Sequence, residues 1–222
     1  MTRVMVIAAH PDDEVLGCGG VIAKHISNGD EVHVLFMTNG VNSREEVMEG
    51  YAQDRQLMAN ESAKILGINT LTFCDFPDNA MDSIPLLSIV KEIESRIVHI
   101  QPEVVYTHHV GDLNIDHQIT HKAVMTACRP QPGFCVREIY AFEVLSSTEW
   151  QTNRVIPFSP NVFIDITKFI SIKEKVLKIY SGEMRQPPHS RSIDNTLRLN
   201  ALRGNSVGVD YAEAFVLVRS VR

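Results

Sequence analysis

The chain reads as an α/β protein with a mostly parallel sheet flanked by helices, in a single domain over residues 1–222 whose C-terminal α/β portion closes the site. Three observations predict this. Up to Pro130, short β-rich apolar runs alternate with longer stretches of helical periodicity, the pattern of β-α units joined by right-handed crossovers. The first run, Val4 to Ala9, gives way abruptly to His10-Pro11-Asp12-Asp13-Glu14 and then to Gly17, Gly19 and Gly20. A buried strand therefore hands over to a helix through a polar turn. Finally, 222 residues suffice for one such domain with a sizeable core and are short for two.

Taken in order, the strand Val4–Ala9 leads to a helix whose apolar face is Val15, Leu16, Val21, Ile22 and Ile26. Each glycine inside that helix costs about 1 kcal/mol relative to alanine, so the helix should pack very close to the sheet or to a ligand. The run Gly17-Cys18-Gly19-Gly20 is not G-x-G-x-x-G, and Met37-Thr38 ends the second strand where a ribose-binding acid would stand, which sets a dinucleotide site aside. The second strand spans Glu31 to Met37 and runs into Thr38-Asn39-Gly40. A helix over Tyr51–Leu66 is closed by Gly67 at its C′ position. Thr70–Cys74 is a third strand, leading to the acidic turn Asp75-Phe76-Pro77-Asp78-Asn79. Pro85–His99 is helical, with Leu86, Ile89, Val90, Ile93 and Ile97 on one face. Val104–Thr107 is the fourth strand, with His108-His109 at its carboxyl end and a helix following His117. Past Pro130 the spacing predicts strands at Glu138–Val144, Val162–Ile166 and Ala214–Val218, and helices at Lys168–Tyr180 and Asp194–Arg203.

Twenty-one basic against 27 acidic residues give a net charge of −6, with no basic run, which speaks against nucleic acid as a partner. No apolar stretch approaches the roughly 20 residues of a membrane span, and nothing at the start resembles a signal peptide. The four cysteines, Cys18, Cys74, Cys128 and Cys135, form no C-x-x-C pair. The expectation is reduced thiols in a cytoplasmic protein.

One imidazole and three carboxylates fall within five residues at the end of the first strand, the edge where open α/β sheets bind ligands. Carboxylates that close repel one another, and a divalent cation resolves the repulsion. A second cluster, His108-His109-Val110-Gly111-Asp112-Leu113-Asn114-Ile115-Asp116-His117, follows the fourth strand and should reach the same edge. Catalytic zinc takes three protein ligands and keeps an open position. His10, Asp13 and His117 would supply two imidazoles and a carboxylate in that form. Asp12 would then stand ready to take a proton from a water whose pKa the ion lowers to about 7, and Asp116 would orient an imidazole from behind. Spacing alone leaves His108 or His109 open in place of His117, and iron, cobalt or manganese open in place of zinc.

The run Ala9-His10-Pro11-Asp12-Asp13-Glu14 with Gly17-Cys18-Gly19-Gly20 resembles the signature of the PIG-L/LmbE-like family of zinc-dependent N-deacetylases. Gly111 to His117 resembles that family's second motif, which ends in Asp-His. Phe76-Pro77-Asp78-Asn79 and Tyr211-Ala212-Glu213-Ala214-Phe215 extend the resemblance over nearly the whole chain. It implies a Rossmann-like fold and hydrolysis of the N-acetyl group of an amino sugar, whether free, nucleotide-linked or lipid-linked. It also implies His10, Asp13 and His117 as zinc ligands, Asp12 as general base, and homo-oligomers, which members often form.

Around this centre, Arg55 resembles a family arginine that reaches the substrate, Asp78 and Asn79 are candidates to touch sugar hydroxyls, and His108 and His109 to line the pocket. Arg191 could meet a substrate phosphate. One departure matters for the chemistry. Many members carry a histidine three residues before the ligand histidine, and this chain has Asn114 there. An amide donates a hydrogen bond to an oxyanion but delivers no proton. That task then falls to protonated Asp12 or to a histidine from elsewhere, with His189 the candidate. Asp12, Asp116, Asn114 and His189 form the expected catalytic set.

Overall fold

Alternation along β1 (Arg3–Ala8) sends Val4, Val6 and Ala8 to one face and Met5 and Ile7 to the other, and both faces are covered, as a central parallel strand requires. The computed structural model describes residues 1–38, 51–152 and 156–222. Its other strands are β2 (Glu31–Thr38), β3 (Thr70–Phe76), β4 (Val104–His108), β5 (Glu138–Phe142), β6 (Val162–Asp165) and β7 (Ala212–Ser220). They join β1 in one seven-stranded sheet of order β3-β2-β1-β4-β5-β7-β6. Pairing is parallel from β3 to β5, and β7 runs antiparallel to both β5 and β6.

Among the described residues, six α-helices cover the sheet: α1 (Asp13–Ser27), α2 (Tyr51–Leu66), α3 (Leu86–Ile100), α4 (Ile115–Ala127), α5 (Ile170–Ile179) and α6 (Ile193–Asn205). Val15 and Ile22 of α1 share one core with Val176 and Leu177 of α5. Ile89 and Ile93 of α3 share the other with Ile119 and Val124 of α4. Chain order runs outward from β1 in both directions, through β2 and β3 on one side and β4 and β5 on the other. That reversal opens a crevice at the carboxyl ends of β1 and β4, where such sheets take their ligands. Among the described residues no helix is long and apolar enough to cross a membrane.

The expected elements are all present, with shifted ends. β3 runs on to Phe76 and so absorbs the first half of the expected acidic turn. Lys168 belongs to a short 3-10 turn that precedes α5. α4 begins before His117 rather than after it. Of the expected loop after β2, Thr38 closes the strand, while Asn39 and Gly40 lie outside the described residues.

The close approach expected of α1 is made to protein. A Cβ on Gly17 would enter the Phe142 ring, and one on Gly20 would lie 2.7 Å from Ile166. Between them the helix breaks at Cys18, whose φ of −148° is not helical. The restarted helix gives the amides of Gly20 and Val21 to the Glu213 carboxylate at 2.9 and 2.7 Å. Lys173 Nζ donates to the Leu16 carbonyl at 3.0 Å and pairs with Glu213 at 2.6 Å. Both residues are buried, and they meet two amides and one carbonyl at the break, groups of the kind a helix end leaves without partners.

Candidate metal centre

The turn after β1 decides where the first motif points. Asp12 occupies the N-cap of α1 at φ 126° and ψ −28°, without a side-chain capping bond. His10 and Asp13 converge across this turn: the His10 amide donates to Asp13 Oδ2 at 2.9 Å, and His10 Nδ1 lies 3.2 Å from the same oxygen. His117, in the first turn of α4, brings Nε2 to 3.2 Å from Asp13 Oδ2 and 3.3 Å from His10 Nδ1. One ligand atom from each of the three residues falls within a 4.8 Å cluster, and all three residues are buried.

Each imidazole has a carboxylate behind it. His10 Nε2 lies 3.1 Å from Asp116 Oδ2 and 3.0 Å from Asp78 Oδ1. His117 Nδ1 lies 3.2 Å from Asp112 Oδ1. A carboxylate so placed raises the basicity of a metal-ligating histidine and, where it takes a ring hydrogen bond as Asp116 does from His10, fixes the tautomer; His10 Nδ1 and His117 Nε2 are left to face Asp13. Asp116 is fixed in turn by the amides of Asn79 at 2.6 Å and Met81 at 3.0 Å. Asp112 accepts from Ser147 Oγ, Thr148 Oγ1 at 2.6 Å and the Asn114 amide at 2.9 Å.

The electrostatics fit a cation. Burial opposes charge on His117, yet Asp13 and Asp112 lift its pKa to about 9. Burial likewise opposes charge on His10, and Asp116, Asp13 and Asp78 raise it well above its usual value. Burial would raise the Asp13 carboxyl, but His117 holds it well below the carboxylate range, and Asp13 Oδ1 has no hydrogen-bond partner among the described residues. The raised imidazoles and the lowered Asp13 carboxyl together mark a site whose surroundings favour positive charge. His10, Asp13 and His117 could hold a divalent ion.

Asp12 sits beside this cluster and is buried. Its Oδ2 accepts from Arg191 Nη1 at 3.0 Å and Arg55 Nη2 at 3.3 Å, while Oδ1 has no hydrogen-bond partner among the described residues. Burial raises its pKa, and Arg191 and Arg55 restrain the rise. Arg55 also meets Glu183 at 3.1 Å, and Arg191 Nε donates to Ser146 Oγ at 2.8 Å. Glu14 lies behind Asp12, with its carboxyl pushed by burial up to about 8.

His108 and His109 were expected to line the pocket. His108 sits against the centre, with Nε2 3.5 Å from Asp13 Oδ2. It is the last residue of β4, fully buried, with Nε2 accepting from the Ala9 amide at 2.8 Å and its ring stacked 3.8 Å from that of His117. That nitrogen is thereby occupied, and the ring backs a ligand. His109 is also buried; its Nδ1 accepts from the Gly111 amide at 3.1 Å and its ring meets Phe158 edge-on. Asn114 is the N-cap of α4, with Oδ1 accepting from the Asp116 amide at 2.8 Å and Nδ2 donating to Asn79 Oδ1 at 3.0 Å. Asn79 adopts φ 52° and, with Asp78, forms the loop that closes over His10 and Asp116. His189 lies beside Trp150 and Arg191, its Nδ1 accepting the Arg191 amide at 3.1 Å. Sequence reasoning gave no role to Asp112, Glu183, Ser147 or Thr148. Asp112 was visible within the second motif, but nothing local marks it as the partner of His117.

The profile of the family described as "PIG-L: GlcNAc-PI de-N-acetylase" matches residues 5–128. A relative from Escherichia coli K12, named as an uncharacterized deacetylase YaiS, is 27% identical over 180 residues, covering 79% of this chain and 88% of its own. A relative from Pseudomonas putida, named 4-oxalmesaconate hydratase, is 28% identical over 201 residues, covering 81% and 73%. Among solved structures, the N,N'-diacetylchitobiose deacetylase of Pyrococcus horikoshii superposes with a TM-score of 0.80 at 22% identity, covering 98% of this chain and 84% of that one.

Proposed function

This chain belongs to the PIG-L family, the GlcNAc-PI de-N-acetylase family, and from that premise we propose that it is a metal-dependent N-deacetylase. The substrate would be an N-acetylated amino sugar such as N-acetylglucosamine, free or linked to a nucleotide or lipid, and the products acetate and a free amine. The observation that carries the reading is the buried set of His10, Asp13 and His117 with the Asp12 carboxylate beside it.

His10, Asp13 and His117 would hold the ion, zinc or another divalent transition metal. When bound, it supplies Lewis-acid charge that activates water and polarises the amide carbonyl. Asp12 accepts the proton of the attacking water; Arg191 and Arg55 favour its ionised form by occupying Oδ2, and Oδ1 remains to take the proton. Asp116 holds the His10 imidazole in the tautomer that coordination needs, and Asp112 raises the basicity of His117. Asn114 keeps one amide hydrogen beyond its bond to Asn79 and can donate it to the oxyanion. Collapse requires a proton on the leaving nitrogen. Protonated Asp12 supplies it, or His189, whose Nε2 is the ring nitrogen left after Nδ1 accepts from Arg191. Four free cysteines accord with a reducing, cytoplasmic setting.

Acetate release by zinc-loaded protein from free and nucleotide-linked N-acetylhexosamines tests the proposal, with Asp12→Asn alongside. Release should fall roughly 100-fold or more in the variant at unchanged metal content, the scale of a lost general base. Full activity of Asp12→Asn would remove Asp12 from its role. Absence of release from every sugar would shift weight to another acylated amine, to a silent binding module, or to the addition of water to an unsaturated acid. That last reaction is favoured by the named hydratase at 28% identity.

A further inference from the structure

The first motif carries a carboxylate that neither the metal set nor the proposed chemistry uses. Glu14 is buried, and its two oxygens serve different partners. Oε2 accepts from the Asp12 amide at 3.0 Å, and Oε1 accepts from the Tyr180 hydroxyl at 2.8 Å. Tyr180 is fully buried at the end of α5, in the core that α1 and α5 share.

The Asp12 amide is an unusual group to clamp. It belongs to a non-glycine residue at φ 126°, a conformation that costs about 1–3 kcal/mol and persists only where its surroundings impose it. An aspartate at an N-cap ordinarily turns its own oxygen back to the helix amides, and Asp12 makes no such bond. Instead Glu14, in the first turn of α1, reaches back to the N-cap amide, as the acid of a capping box does. With that amide held by Glu14, the Asp12 carboxylate is turned to Arg55 and Arg191.

We propose that Glu14, braced by Tyr180, is a positioning residue that holds Asp12 in its positive-φ conformation and so sets its carboxylate for proton transfer. The inference rests on the reading of Asp12 as the proton acceptor. It gives α5 a part in the chemistry although α5 carries no residue of the metal set.

The test compares Glu14→Ala, Glu14→Gln and Tyr180→Phe with wild type and Asp12→Asn in the zinc-loaded protein, using the N-acetylhexosamine of highest turnover. Misplacement of a catalytic group by about 1 Å costs roughly 100-fold. Glu14→Ala should lose that much in kcat with KM and zinc content within about twofold of wild type. Glu14→Gln retains an acceptor for the Asp12 amide and should recover most of the loss, and Tyr180→Phe should lose roughly 10-fold. Hydrogen exchange gives a readout independent of substrate: the Asp12 amide, protected in wild type, should exchange at least about 10-fold faster in Glu14→Ala. Wild-type kcat in Glu14→Ala, a loss shared equally by the Gln variant, or unchanged exchange at Asp12 would each overturn the proposal. If Asp12→Asn is itself fully active, the reading of the base fails instead, and the exchange experiment alone decides whether Glu14 holds Asp12.

Discussion

Replacing Asp112 with asparagine asks whether the carboxylate behind His117 sets metal affinity. Asp112 Oδ1 lies 3.2 Å from His117 Nδ1, and its other contacts are two hydroxyls and one amide. Asparagine keeps the shape and one acceptor oxygen, so the change is chiefly in charge. At 3.2 Å and an effective dielectric of about 20, a unit charge pair is worth about 5 kcal/mol. That energy favours a proton on the ring as well as a metal. In the metal-free site His117 stands at about 9, so at pH 7 a proton must leave before coordination, which weakens binding about 100-fold.

Loss of Asp112 therefore acts twice, lowering the affinity of the ring for metal and its affinity for the competing proton. Below pH 9 the two effects oppose each other. Once the wild-type ring has lost its proton, only the first remains. The expected deficit is a few-fold at pH 7 and rises to roughly 10–100-fold near pH 9, the range for partners of ligating histidines. Competition for zinc or cobalt against a chelator of known affinity, run from pH 6.5 to 9.5, measures it. A deficit that shrinks with rising pH, or none at pH 9, would refute the account.

Three further outcomes follow from the same contacts. His117→Ala should emerge from dialysis without metal while folding normally, and undiminished metal content would remove His117 from the ligand set. Lys173→Met strands the Glu213 carboxylate in the core and should cost about 3–5 kcal/mol, lowering the thermal midpoint by roughly 6–20 °C; a calorimetric change of under about 1 kcal/mol would show that the pair adds nothing. Gly17→Ala drives a methyl group into Phe142 and should cost about 1–3 kcal/mol by denaturant titration. A neutral result there would mean that β5 yields to α1.

The succession of strands and helices and the mostly parallel sheet were legible because they follow from periodicity, and the polar clusters stood out because they interrupt it. What was lost turned on single residues. Ending the fourth strand at Thr107 made His108 a loop residue, whereas it is the last position of β4, paired with Phe142. Its side chain thereby joins the core face, against the ring of Phe142. Asn114 drew attention as an oxyanion donor, although asparagine two residues before Asp116 also has the character of an N-cap, which is the role its Oδ1 takes. Asp112 and His117 are five residues apart and share no helical face. They meet because the loop from Gly111 turns back before α4 begins, with Asp112 pinned to Ser147 and Thr148 beyond β5, a distant connection that no local pattern encodes.

The C-terminal portion was expected to close the site, and it also braces it from behind. Two departures from regular backbone lie within nine residues of His10: the positive φ at Asp12 and the break at Cys18. Neither is satisfied by its own neighbourhood alone. Tyr180 completes the clamp on Asp12, and Lys173 and Glu213 meet the helix ends that the break exposes. In front, Arg191 and the Arg55–Glu183 pair bear on the Asp12 carboxylate. Residues 5–128, where the family profile matches, hold every proposed metal ligand, yet Tyr180 behind Glu14, Arg191 on Asp12, and Lys173 and Glu213 at the break all lie beyond them. The later motif Tyr211-Ala212-Glu213-Ala214-Phe215 therefore has a physical meaning that its sequence does not announce. Its glutamate caps the second half of the helix whose first turn carries Asp13.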